Sequence, residues 1–300
     1  MLIATRWALY ADLGLLFGLL LFALYALDGP RRTRLLPLNR IAVALGLTGI
    51  ALSGFGFLLT AAGMLGADIS GVDRATLMML LTETPVGRAL LARLAALLLL
   101  VLVALAPPAR RAAMPVLLAA LAGVAVASLA WSGHGAAEGP FGLLPLVADI
   151  IHLLAASAWI GALGGFILIV FRRSHTHETL RAAHDALAGF ATAGTVIVGL
   201  IVLTGLINSY VLLGFAHIFA LGESDYGQLL LIKLALFNAM LVLAIINRFR
   251  LTPALGVARN RPEITAVIAR FRRTLWLEAG AGMLILGLVG WLGTLSPPGE

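Results

Sequence analysis

The chain contains no cysteine, which excludes disulfides, thiolate metal sites and thiol catalysis. Charge is also scarce: 12% of residues are charged and 61% are hydrophobic. A soluble domain carries about a quarter charged and about half apolar residues, so a soluble enzyme is excluded. No Gly-rich phosphate loop ending in Gly-Lys-Ser/Thr is present, and nucleotide-driven chemistry has no basis in the sequence. The short alternating strands of a membrane β-barrel are missing too. What is there is a series of long apolar runs with the charges crowded into the gaps, at a mean hydropathy of +1.03. Each run is near the roughly 20 residues a helix needs to cross a bilayer. The 300 residues therefore read as an all-α polytopic membrane protein, one membrane domain over 1–300.

The net charge of +7 and pI near 10.9 would suit nucleic acid. The arginines, however, sit beside the apolar runs rather than on one basic face, so lipid is the expected partner and nucleic acid is not. The first apolar run is too long for a signal peptide and no small-residue cleavage site follows it, so it is expected to stay as a span.

Eight spans are expected, at 5–28, 38–65, 85–106, 114–132, 145–171, 188–215, 228–248 and 274–295. Alternate gaps hold Arg31, Arg32, Arg34 and Arg40; Arg110 and Arg111; Arg172, Arg173 and Arg181; and Arg248, Arg250, Arg259, Arg261, Arg270, Arg272 and Arg273. These are sixteen of the 21 basic residues. The opposite side holds Arg6, Arg74 and Arg88 with seven acids, Asp68, Asp73, Glu83, Glu138, Glu223, Asp225 and Glu300. By the positive-inside rule both termini face outward, which in a bacterial inner membrane is the periplasm. The outer gap 66–84 contains an apolar stretch, Ala75 to Leu81, suited to a short interfacial helix. The inner gap 249–273 reads as a basic amphipathic segment at the anionic leaflet.

The two halves, roughly 1–135 and 145–297, look alike. Gly87 stands six residues before Arg93 and Gly227 six before Lys233; Leu52-Ser53-Gly54 matches Leu203-Thr204-Gly205. Four spans is an even number, so the expected relation is a parallel repeat about an axis along the membrane normal.

An ionisable group within the membrane costs at least ~2.5–3.5 kcal/mol and needs a reason. Asp12, Arg93, Asp149, His152, Lys233 and Glu278 fall inside spans. Arg93 and Lys233 can snorkel toward the outer headgroups or pair with Asp12 and Glu278, the candidate partners, either as register-fixing pairs or as a proton or cation relay. The richest cluster lies at the outer ends of spans four and five. It reads Trp131-Ser132-Gly133-His134, then Glu138, then Asp149-Ile150-Ile151-His152, then Trp159-Ile160-Gly161. Asp149 and His152 at i, i+3 share a helix face. A carboxylate there can accept an imidazole N–H, a common arrangement behind a metal-bound histidine. His152 lies ~10 Å below the start of its span, so His134 can converge on it. A buried ion pair or a proton relay accounts for the same spacing.

Other candidates are weaker. His175-Thr176-His177 with His184 reads as a solvated inner loop, and His217, near Glu223 and Asp225, as an interfacial residue or accessory ligand. Thioethers suit Cu(I). Of the seven methionines the pair Met78-Met79 on the outer side is the candidate; the rest read as packing. Asn208, in Thr204-Gly205-Leu206-Ile207-Asn208, either bonds between helices or lines a path.

Taken in order, these residues resemble the CopD copper-resistance membrane proteins. The carriers are Ser132-Gly133-His134; Asp149-x-x-His152 with Trp159-x-Gly161; Thr204-Gly205-Leu206-Ile207-Asn208; Tyr226-Gly227-x-Leu229-Leu230-Leu231-x-Lys233 running to Asn247-Arg248; Arg273-x-Leu275-x-Leu277-Glu278; and Leu292-Gly293-Thr294-Leu295-x-Pro297. The resemblance is clearest over 120–297. It implies copper movement across the inner membrane, a copper ion as cargo, and a small periplasmic donor of the CopC type. It also implies His134, Asp149 and His152 as copper-handling residues, and a carrier rather than an enzyme. The competing readings are a haem protein with His152 and His134 as axial ligands, and an assembly factor that hands on copper without transport.

Overall fold

The computed structural model describes residues 1–27, 32, 35–106, 114–132, 142–171, 177–258 and 264–295. Every described element is helical. In order they are α1 (Leu2–Ala26), α2 (Leu38–Leu65), α3 (Arg74–Glu83), α4 (Pro85–Leu105) and α5 (Met114–Ala127). The second half follows with α6 (Leu144–Val170), α7 (His177–His217), α8 (Asp225–Ile246), α9 (Thr252–Ala258) and α10 (Ile264–Leu292). Seven of these are long and apolar enough to cross a membrane. The helix α5 is not: its 14 residues rise about 21 Å, short of a hydrocarbon core about 30 Å thick. The sequence expects a full span to 132 there, but the helix breaks at Ser128 and Leu129 and ends in a 3₁₀ turn, Ala130–Ser132.

The centre of the bundle is the pair α1 and α6, the most buried of the long helices. Lipid tails are as apolar as leucine, so helices associate in a membrane by close packing, and small residues let backbones approach. Here α1 offers Gly14 and Gly18, and α6 offers Ser157, Gly161, Gly164 and Gly165. At the crossing a Cβ on Gly161 would lie 1.9 Å from the Gly18 carbonyl carbon, so neither position admits a side chain. Further along, Phe22 meets Phe166 edge to face at 5.1 Å, beside Gly165. These contacts ascend together along both helices, which therefore run parallel.

Around this pair, α1 packs on α2 as α6 packs on α7, and α4 packs on α5 as α8 packs on α10. Likewise α5 contacts α1 and α6, and α10 contacts both. One contact breaks the pattern: α2 packs broadly on α4, whereas α7 and α8 scarcely touch among the described residues.

Local chemistry repeats as well. Thr84 caps α4 by accepting from Gly87 N–H at 3.1 Å, and Ser224 caps α8 by accepting from Gly227 N–H at 3.1 Å. In both, the preceding segment folds back onto the glycine. A Cβ would sit 2.2 Å from the Leu80 oxygen at Gly87 and 1.9 Å from the Leu221 oxygen at Gly227. At the other ends, Arg32 donates to the Ala23, Leu24 and Leu27 carbonyls of α1, and Arg272 donates to the Val170 carbonyl of α6. Arginines that set topology thus also satisfy the open carbonyls of helix C-termini.

Three boundaries move. The helix α7 begins eleven residues before the expected 188, and its regular part ends at Gly214, whose φ of 62° a side chain would resist. The helix α10 begins ten residues before the expected 274. There Ile268, Phe271 and Leu275 are buried while Arg270 and Arg273 face outward, so an amphipathic start precedes the apolar span. The short α3 forms over the stretch expected as an interfacial helix, capped by Asp73 through Thr76 N–H at 2.7 Å.

Candidate functional site

Asp149 and His152 lie one turn apart near the N-terminal end of α6, five and eight residues from its first residue. The half-buried His152 ring turns toward α7, where Gly205 leaves room for it: a Cβ there would already touch the ring at 3.5 Å. Its Nδ1 is 3.0 Å from the hydroxyl of Thr204. Thr204 is buried, and its single hydroxyl proton goes to the Leu200 carbonyl at 2.5 Å. The threonine oxygen can therefore only accept, and Nδ1 is the protonated nitrogen. The lone pair of the neutral ring is then on Nε2. Sequence spacing pointed to Asp149 as the partner orienting His152; the bond at Nδ1 comes instead from Thr204, across helices. The signal was present, since Thr204 lies one turn from Asn208 on the same helix.

Asp149 receives a long hydrogen bond, 3.5 Å, from Asn208 Nδ2. Lys233 stands eight residues into α8, the same depth as His152 in α6, and acts electrostatically on both Asp149 and His152. About 10 Å deeper on α6, Trp159 is 4% exposed and packs edge-on against Phe237 of α8, an apolar floor under the polar groups. The cluster can offer a metal one imidazole nitrogen and one carboxylate, with a lysine competing for the carboxylate. Among the described residues no three His, Asp or Glu side chains converge as a complete ligand set. His134 and Glu138, with His175, lie outside the described residues, as do the side chains of Ser132, His177, His184 and His217.

The other ionisable groups are distributed differently from the pairs considered above. Arg93 donates through Nε to Ser128 Oγ at 2.9 Å. Glu278 accepts from Asn247 Nδ2 at 2.8 Å, and Asn247 in turn accepts from the Thr274 hydroxyl at 2.6 Å. Asp12 faces Gly49 of α2, and its Oδ2 has no hydrogen-bond partner. Neither acid is bonded to Arg93 or Lys233. Position along the helix explains this for Glu278: it sits beside Asn247 at the C-terminal end of α8, about 21 Å along the helix from Lys233. Met78 and Met79 are exposed on α3, which packs on α4 and α2, away from His152.

Comparison with known proteins gives consistent results. A family model described as "Copper resistance protein D-like, N-terminal domain" matches residues 1–143, and one described as "Copper resistance protein D" matches residues 184–292. The chain is 42% identical to copper resistance protein D of Pseudomonas syringae pv. tomato, over 99% of this chain and 97% of that protein. It is 26% identical to the inner membrane protein YebZ of Escherichia coli, over 98% of each. It is 31% identical to copper transport protein CutJ of Bacillus subtilis over 172 residues, 56% of this chain and 28% of that protein. No solved structure matches. With both halves matched by the family's models and a full-length relative at this identity, the chain belongs to the copper resistance protein D family.

Proposed function

We propose that this protein accepts copper at the outer end of α6 and α7 and carries it across a bacterial inner membrane. The observation that carries the reading is the His152–Thr204 hydrogen bond, which leaves Nε2 as a ready metal ligand beside a carboxylate. One imidazole and one carboxylate do not make a tight site. That suits a carrier, because a site that binds too well does not release. His134 is assigned as the second imidazole, and Asp149 as a ligand or as the group that neutralises the ion. Met78, Met79 and His217 remain accessory candidates, and Asn208 lines the entrance. A small periplasmic copper protein of the CopC kind supplies the ion by ligand exchange. The driving force is a gradient or coupling to that partner, and the chain catalyses no covalent reaction.

The topology that goes with this reading has eight crossings, both termini outside, and a parallel repeat. In support, α5 is tied to Asn39 near the inner end of α2 through Met114 Sδ, and to Arg93 in the outer half of α4 through Ser128. These two ties favour reading α5, short as it is, as the eighth crossing. Names of relatives favour copper over haem, and His152 packs against Thr204 and Gly205 without space for a macrocycle on that side. A second reading, delivery without transport, is favoured by the Trp159–Phe237 floor. Proteoliposomes separate the two. Time-dependent copper entry that fails in His152→Ala and persists in His177→Ala supports the carrier; copper binding without entry supports delivery. Equal copper occupancy in the wild type and His152→Ala removes the α6 site.

A further inference from the structure

The outer end of the N-terminal half holds a half-open cavity of about 540 Å³ that the copper reading does not use. It lies between α1, α2 and α4, and its polar lining includes Thr5, Arg6, Tyr10, Ser53 and Arg93. Among the described residues no carboxylate lines it. Arg93 is 6% exposed; Ser128 engages its Nε and Nη2, which leaves further guanidinium N–H groups for the cavity. Arg6 donates from Nη1 to the Gly293 carbonyl. Tyr10 lies within electrostatic reach of both guanidinium groups.

Ser53 supplies an independent observation. It is 2% exposed, it lines the cavity, and its buried Oγ has no hydrogen-bond partner among the described residues. Serine or threonine in an apolar helix ordinarily bonds back to a carbonyl of the preceding turn, as Thr204 does in α7. A buried hydroxyl left open calls for a ligand. A buried Arg93 beside a half-exposed Arg6, with no carboxylate in the lining among the described residues, favours a negative ligand.

We propose that this cavity is an anion site that holds one phosphate-type oxyanion between Arg93, Arg6, Tyr10 and Ser53. Several acceptor oxygens match the guanidinium forks and the two hydroxyls. Asp12, one turn below Ser53, and Asp149, within electrostatic reach of Tyr10, are outside the lining. Aligning the halves on the Gly18–Gly161 crossing shows how the two ends differ. Arg93 and Ser53 correspond to Lys233 and Thr204, but Arg6 and Leu9 stand where α6 carries Asp149 and His152. The same frame thus takes an anion on one side and a cation on the other. The proposal is independent of the copper reading.

The phosphate comes either free from solution or on a lipid headgroup. The full-length protein, delipidated in detergent, is titrated with sodium phosphate at fixed ionic strength while thermal unfolding is followed; native mass spectrometry reads retained phospholipid before delipidation. Wild type and Arg88→Gln, which loses only an exposed outer arginine, are expected to show the same saturable rise in Tm. Ser53→Ala is expected to weaken phosphate about tenfold or more, the loss for one hydrogen bond to a charged group. Ser53→Leu, which fills the cavity, is expected to abolish the response; if it misfolds on gel filtration, Ser53→Ala carries the test. Retained phospholipid that Ser53→Ala loses assigns the lipid source; a phosphate response without retained lipid assigns the free ion. No response and no retained lipid in the wild type, or an undiminished response in Ser53→Ala, overturns the proposal.

Discussion

Thr204 decides what His152 can do. Because its hydroxyl proton is committed to the Leu200 carbonyl, the neutral imidazole carries its lone pair on Nε2. Thr204→Val removes the acceptor and is expected to weaken copper binding about 10- to 100-fold, the usual cost of losing the group behind a metal-bound histidine. Thr204→Ser keeps the oxygen and is expected to stay near wild type; competition with a calibrated copper chelator measures both. The Asp149–His152 face was legible in the sequence because i, i+3 spacing is local. Their partners were not: Thr204 lies 52 residues beyond His152, and Ser128 lies 35 beyond Arg93. In an apolar helix with lipid on one side and protein on the other, hydrophobic periodicity does not mark which face meets the bundle. The same limit hid Asn247, which holds Glu278 although the two are 31 residues apart. Asn247→Leu leaves that buried carboxyl without its donor and is expected to cost about 2–3 kcal/mol. Glu278→Gln keeps an acceptor and is expected to cost much less; detergent unfolding midpoints compare them.

At the scale of elements, the α1–α6 crossing is the most constrained contact. Gly161→Leu forces the two backbones apart and is expected to lose folded protein altogether, whereas Gly54→Leu, where a Cβ meets nothing within 4 Å, is expected to be tolerated. Size-exclusion profiles of membrane extracts distinguish these outcomes. The span 38–65 was read from hydropathy to the residue, and 85–106 and 145–171 to within one. Hydropathy reports where a sequence is apolar, and these helices end where the apolar sequence ends. It failed for α10 and α7, whose helices extend into polar sequence at their N-terminal ends. It failed in the opposite sense for α5, where an apolar stretch is helical only to Ala127.

For the molecule as a whole, the absence of cysteine makes topology directly testable. With both termini outside, a cysteine at Ser70 is expected to react with an impermeant maleimide in intact spheroplasts. One at Arg270 is expected to react only after lysis. Both positions are exposed, so burial does not confuse the result. The two halves share caps, depth of the lone cation and packing neighbours, yet differ where α7 and α8 separate. The most direct measurement is copper per chain, by elemental analysis of protein loaded with copper and desalted, in the wild type and in His152→Ala. Near-stoichiometric copper in the wild type that disappears in His152→Ala is the expected result. Copper absent from the wild type, or retained equally by the mutant, contradicts a copper site on α6.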